Sequence, residues 1–312
     1  MSHHHHKNSS KRKHDDKKPD DKKQALPKLA PANKPKIDVR KMAGGKLPPK
    51  IDKRTLQFAK YVRSPGAPVD VGAAAPLPPP PASQDWISAC NNNFGTMGND
   101  TYNNCAFAAA GHCMQVWSAN ANTERTIADA DIINAYTAFA GPVTTIAPWI
   151  SIPKGPPLAE LSVLSYWKNT GIDGDQINSY LAITPTNTTY IKTAIYWFGG
   201  VYVGIALPAS AMNQMDDNNA GPWDVVPSSS PLGSNAAGSW GGHAVVIAAY
   251  DTTGLTCITW GATQRMTWSF FNTYCDEAYA LLSKDWIKTA TGLSPLGNGF
   301  DMAGLTADLA NL

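Results

Sequence analysis

Apolar positions fall at helical spacing in the first half of the chain and at strand spacing in the second. Over 105–118, Phe107, Ala110, Met114 and Trp117 recur three or four residues apart and predict a helix, and 128–139 and 159–170 read the same way. From Thr193 onward the pattern changes. Residues 201–207, 244–250, 255–260 and 278–282 are β-branched or aromatic runs separated by Gly, Asn and Pro, as strands are. A helical half followed by a sheet half predicts an α+β fold with a cleft between the two. Between the runs, 209–239 is rich in Asn, Asp, Ser, Pro and Gly without periodicity and predicts a long surface loop leading to residue 243. Trp223 lies in that loop and Trp240 closes it; they either line a groove or pin the loop to the body.

Upstream, 52–62 carries a capping Asp52 and helically spaced apolar residues, so an amphipathic helix is expected, followed by a Pro-rich strap from Pro65 to Pro81. A helix apolar on one face docks on the body or on a partner. Ahead of it the chain is almost purely polar, from Lys11-Arg12-Lys13 to Lys22-Lys23, and cannot bury enough surface to offset its ordering entropy. The expected organisation is a disordered basic arm over 1–50, helix and linker over 51–84, a single domain over 85–290 and a tail over 291–312. On that division, removing residues 1–50 leaves the melting temperature of the body unchanged.

Charge sharpens the division. Residues 1–80 hold 19 of the 26 Lys+Arg and 7 of the 24 Asp+Glu, a net of +12, and the remaining 7 and 17 leave the body at −10. The arm is therefore either a contact for an acidic or nucleic-acid partner through phosphate neutralisation or a solubilising extension diluted by its Asp pairs. The His run at 3–6 is set aside from metal assignment. No stretch is apolar enough to span a bilayer and the N-terminus is polar where a secretory signal has its hydrophobic core, so a cytoplasmic protein without membrane contact is expected. Cys90, Cys105, Cys113, Cys257 and Cys275 contain no close CxxC pair, so neither a metal nor another cofactor is expected. A Cys90–Cys113 or a Cys257–Cys275 bridge stays open.

Two residues stand out chemically. His243 opens an apolar strand in Gly241-Gly242-His243-Ala244-Val245, the placement of a general base that titrates near neutrality. Cys105 follows the polar turn Gly98-Asn99-Asp100-Thr101-Tyr102-Asn103-Asn104 and starts a helix, whose positive end favours thiolate and lowers the thiol pKa. Each also has a plainer reading, a packed thiol and a satisfied structural imidazole. His112, two turns along the same helix, reads as structural.

In this order the pieces resemble the papain-like cysteine peptidase superfamily over about residues 86–285. Cys105-Ala106-Phe107-Ala108-Ala109 looks like the family's nucleophile helix, Gly242-His243-Ala244-Val245-Val246 like its base strand, and Thr259-Trp260-Gly261 like its Asn-Ser-Trp-Gly signature. The turn Gly98-Asn99-Asp100-x-Tyr102-x-x-Cys105 is similar to one in uncharacterised bacterial and phage-encoded papain-like proteins. The resemblance implies a two-lobe fold, a helical lobe carrying Cys105 and a barrel-like sheet lobe carrying His243. It implies Asn99 beside the Cys105 N–H as oxyanion donor, or else Asn99 as an Asx-turn. It puts Ile258 where the family has its orienting Asn, with Thr259 next if the register moves by one, and Trp240, Trp260 and Gly242 along the substrate. Three activities fit: hydrolysis of peptide or isopeptide bonds, acyl transfer to an amine as in transglutaminases, or a papain-like scaffold kept for binding alone.

Overall fold

The structure, a computed structural model, describes residues 1–2, 42, 45–62, 79–143, 155–215, 221–227, 233–283, 286 and 299–312. An antiparallel sheet organises them. Its strands are β1 (Gln84–Asp85), β2 (Ile177–Ile183), β3 (Val201–Leu207), β4 (Gly241–Tyr250), β5 (Gly254–Thr259), β6 (Ala262–Thr267) and β7 (Cys275–Ser283). They lie in the order β2-β7-β3-β4-β5-β6, with β1 paired to the far end of β4. Every pairing is antiparallel, so hairpins and loops suffice as connections.

Strand alternation gives the sheet two buried faces. Tyr202, Ala244, Val246, Ala248 and Ile258 join one core with the helices α2 (Cys105–Asn120), α3 (Asp129–Ala140) and α4 (Glu160–Asn169). Val201, Val203, Ile205, Val245 and Ile247 join the other, with α5 (Thr188–Phe198) and α7 (Trp268–Tyr274). The expected α+β architecture holds, and α2 to α4 fall where the apolar spacing put them. α2 is more buried than a stripe requires: Cys105 to Trp117 are all inside. Its Ala108-Ala109-Ala110-Gly111 run permits this, since a Cβ on Gly111 would lie 2.3 Å from Met97 Sδ.

Several elements depart from expectation. β2 and α5 occupy a region with no strand or helix assigned, and α6 (Ala209–Met215) opens the stretch taken as loop. Trp223 is fully buried against Phe270, so it pins the loop; its backbone pairs with β6 through Trp223 N–H to Arg265 O (2.8 Å) and Thr267 N–H to Trp223 O (2.9 Å). At the opposite edge, Ala182 N–H donates to Leu56 O (2.9 Å) on β2.

Upstream, only Phe58–Tyr61 (α1) is helical, because Asp52 turns onto the Arg54 N–H (2.9 Å) instead of capping a longer helix. Phe58 docks on the body against Trp197, Phe198 and Phe300. Phe300 belongs to the segment counted as a tail, whose described part packs here as the helix Met302–Leu309, capped by the Asp301 side chain. Residues 3–41 of the expected arm and most of the Pro-rich strap lie outside the described residues. Gly45–Lys50, counted into the arm by composition, are placed against the body, with Gly45 and Lys46 buried. Among the described residues no helix is long and apolar enough to cross a membrane. All five cysteines are free thiols, so neither of the two bridges left open by the sequence forms.

Candidate active site

Cys105 is the first residue of α2, and its N–H is among those with no acceptor inside the helix. The preceding turn is fixed by its own polar groups. Asn104 Nδ2 donates to Met97 O (2.9 Å) and Asn99 Nδ2 to Tyr102 O (3.1 Å). Asn99 is buried, and one N–H of its amide staples the turn.

His243 precedes Ala244, which shares a buried core with Cys105 and whose backbone lowers the thiol pKa. Its ring is held on two sides. Nε2 meets Thr259 Oγ1 at 2.7 Å, and Trp260 stacks on the ring face at 4.2 Å between centroids and 17° between planes. Nδ1 is buried without a hydrogen-bond partner. With Nε2–H donating to the hydroxyl, Nδ1 carries the lone pair, which is the form a base needs. Ile258 belongs to the core on the α2 side, and it is the Thr259 hydroxyl that reaches the His243 ring.

The β5–β6 hairpin makes this arrangement. Thr259 pairs with Ala262 around a two-residue turn in which Trp260 has φ 45° and Gly261 φ 76°. Both central residues are left-handed, as a type I′ turn demands. A tryptophan there costs roughly 1–3 kcal/mol of backbone strain. In return its indole covers His243 and meets Trp240 at 5.4 Å.

The chain's own residues 45–47 lie across this site. Lys46 N–H donates to Gly242 O (3.0 Å), Leu47 N–H to Leu158 O (2.9 Å), and Leu158 N–H to Gly45 O (2.8 Å). Gly242 thus offers its edge to a strand, and that strand is internal. The Gly45 backbone lies near enough to the Cys105 thiol to lower its pKa. Trp240 Nε1 closes over the segment by donating to Met42 O (2.6 Å).

Burial governs the titration of the pair. The Cys105 thiol is pushed up to about 11 by desolvation and by Glu160, against the lowering effect of the Ala244 and Gly45 N–H groups and of Lys46. The expected lowered pKa is therefore overturned: the helix terminus does not outweigh exclusion of water. Cys90 and Cys257 are pushed further, to about 12. Burial takes the His243 imidazole down to about 3, with a smaller push from His112. The resting pair is a neutral thiol and a neutral imidazole, and no hydrogen bond joins them among the described residues.

Beside the thiol is a charge cluster that the sequence pattern did not single out as a site. Lys46 Nζ lies 3.0 Å from Asp276 and 2.9 Å from Glu277 Oε1, with Glu160 completing three carboxyl groups around it. Glu160 opens α4, and Asp276-Glu277 open β7. The available signal was an acidic pair leading into an apolar strand.

His112 is structural, as read from the sequence: its Nε2 meets Gly95 O at 3.2 Å, and burial lowers its pKa to about 4. Both body histidines titrate below the ordinary 6.5. The unfolded chain therefore takes up protons first, and stability present above pH 6.5 is lost as pH falls towards 4. For His112 the loss is up to about 3 kcal/mol. Comparing the pH dependence of the melting temperature with that of His112→Gln, in which the carboxyl contributions cancel, is expected to give a flatter acid limb in the variant; parallel curves would remove this assignment.

No protein-family model and no curated protein matches the chain. Solved structures do. Xylellain, a cysteine protease from Xylella fastidiosa, is 14% identical over 78% of this chain and 97% of its own, with a TM-score of 0.49. A digestive procathepsin L2 proteinase from the Tenebrio molitor larval midgut is 12% identical over 78% of this chain and 79% of its own, at 0.42. A cysteine protease from Carica candamarcensis is 10% identical over 65% and 99%, at 0.40. These overlaps are too loose to transfer any residue's role.

Proposed function

We propose that the chain is a papain-like thiol hydrolase acting on peptide or isopeptide bonds, with Cys105 as nucleophile and His243 as base and acid. The observation that carries the reading is the imidazole: held through Nε2 by Thr259 and through its face by Trp260, with Nδ1 buried and without a hydrogen-bond partner. A structural histidine is expected to have both ring nitrogens satisfied when buried.

In the proposed reaction Nδ1 takes the Sγ proton while sulfur bonds to the substrate carbonyl carbon. The Cys105 N–H and the second N–H of the Asn99 amide receive the oxyanion. The C–N bond then breaks and the amine leaves with the proton from Nδ1. Water attacks the thioester, gives a proton to Nδ1, and the C–S bond breaks as the thiol is restored. An amine in place of water gives acyl transfer by the same steps.

The test is covalent labelling by a peptidyl vinyl sulfone. Cys105 is the expected target. His243→Ala is expected to slow labelling by on the order of 10²- to 10⁴-fold, and Thr259→Val by about 10-fold, through loss of a buried hydrogen bond. Thr259→Asn, which offers a stronger acceptor, is expected to preserve or raise the rate. The binding-only reading is favoured by one observation, the raised thiol pKa under the internal strand. It becomes the better account if Cys105 stays unlabelled after that strand is displaced.

A further inference from the structure

We propose that the acidic pocket formed by Glu160, Asp276 and Glu277 beside Cys105 selects a lysine side chain from a peptide strand laid between Gly242 and Leu158, so that lysine-bearing peptides are the substrate class. The proposal rests on the thiol-hydrolase reading above.

Three observations support it. The first is the manner in which 45–47 is held. Its backbone bonds to Gly242 and Leu158 are those of an added strand, indifferent to sequence, and Leu47 turns its side chain outward. The side chain that enters the body from this stretch is that of Lys46. Main-chain pairing for affinity combined with a side-chain pocket for selection is the general logic of peptide recognition by strand addition.

The second is the shape of the pocket. Gly204 on β3 faces it, opposite Glu277 in the β3–β7 register. A Cβ at Gly204 would lie 2.0 Å from Lys46 Cε, 2.7 Å from Glu277 Cγ and 2.8 Å from Glu160 Oε1. The missing side chain is what gives a four-carbon stem room to reach the carboxyl groups.

The third is an excess of carboxyl groups, of which burial and the neighbouring Glu277 hold Glu160 well above the ordinary carboxyl pKa. Three carboxyl groups surround one ammonium group, which is one more than Lys46 touches, and both oxygens of Glu160 are buried without a hydrogen-bond partner. Tyr279 Oη donates to the far oxygen of Glu277 (2.8 Å) and fixes its carboxylate. A fold lock requires a single matched pair, whereas an over-supplied acidic cage at the end of a strand-binding groove suits capture of a cation brought by a peptide.

Two measurements on the full-length chain test this. Tripeptidyl vinyl sulfones carrying lysine or norleucine at each position in turn present the same stem with and without charge. At one position lysine is expected to modify Cys105 about 10-fold faster than norleucine, and the Glu277→Gln and Asp276→Asn variants are expected to lower that ratio towards one. Equal rates for the two probes, or a ratio unchanged in both variants, would overturn the pocket while leaving the thiol-hydrolase reading intact. The second measurement does not need catalysis: the peptide Gly-Gly-Lys-Leu-Pro is added to the Lys46→Ala chain, in which the pocket is vacated. It is expected to raise the melting temperature, and the norleucine peptide to raise it less. Equal effects would overturn the proposal whatever the thiol does. Absence of all labelling together with lysine-selective binding would instead remove the hydrolase and leave the pocket.

Discussion

Deleting residues 1–47 is expected to raise the rate of iodoacetamide modification of Cys105 by roughly 10- to 2000-fold, and replacing Leu47 by proline in the intact chain, which removes one of the three bonds that hold the strand, by about 2- to 13-fold. The strand over the thiol is held by three backbone hydrogen bonds, each worth about 0.5–1.5 kcal/mol net. Reagent reaches the sulfur only when that strand opens, so the rate follows the opening equilibrium. Proline at 47 removes the N–H that pairs with Leu158 O without touching the acidic pocket. The deletion does more. It strands Glu160, Asp276 and Glu277 without their cation, which for a buried pair costs about 3–5 kcal/mol. Truncation through residue 50 is accordingly expected to lower the melting temperature, contrary to what composition alone implied. Mass-spectrometric mapping with time decides the point: Cys105 labelled at the same rate in the wild type and in Leu47→Pro would mean that the strand does not guard it.

Replacing Trp260 by alanine is expected to cost about 3–5 kcal/mol, the range for loss of a buried tryptophan, and to slow electrophile labelling of Cys105 by releasing the His243 ring. The two losses have one origin, since the indole fills the space over the imidazole and against Trp240. A second substitution separates packing from backbone. At φ 45° alanine retains the strain that tryptophan bears, and glycine does not. Trp260→Gly is therefore expected to be more stable than Trp260→Ala by about 1 kcal/mol, the reverse of the order at an ordinary position. Denaturant titration of the two variants gives this difference directly. Alanine proving the more stable would mean that the turn relaxes out of the left-handed region.

The parts of this molecule legible in the sequence are those with a local cause. Val201–Leu207 was readable to the residue because a β-branched run bounded by Gly and Pro has few alternatives, and α2 because its apolar spacing is unbroken. α5 was not. Its Thr188-Thr189-Tyr190-Ile191 start has poor helix propensity, and it is helical because the Asn187 side chain caps Tyr190 N–H (3.0 Å) and Gly199 ends it at φ 76°. Cys105 and His243, the proposed dyad, stood out from their flanking turn and strand. Whether Ile258 or Thr259 orients the imidazole depended on hairpin register, which only the turn geometry fixes. The acidic pocket had one faint local signature, the Asp276-Glu277 pair leading into an apolar strand, and its cation had none: Lys46 and Asp276 are 230 positions apart, and each alone reads as a solvated charge. The thiol pKa was misjudged for the same reason, because the strand that dries it comes from residues that composition assigned to the arm.

The backbone bridges at the two outer strands bear on how the molecule behaves in a crowd. An open antiparallel sheet ends in two rows of unpaired N–H and C=O groups, each a template on which a further chain can polymerise. Here Leu56 occupies part of the row on β2, and Trp223, anchored by its buried ring, occupies part of the row on β6. Because these caps belong to connecting segments and not to the sheet, resistance to edge-to-edge association depends on loops whose residues form no part of the proposed site around Cys105 and His243. A nick near residue 223 would leave the cleft assembled and turn β6 into an adhesive edge.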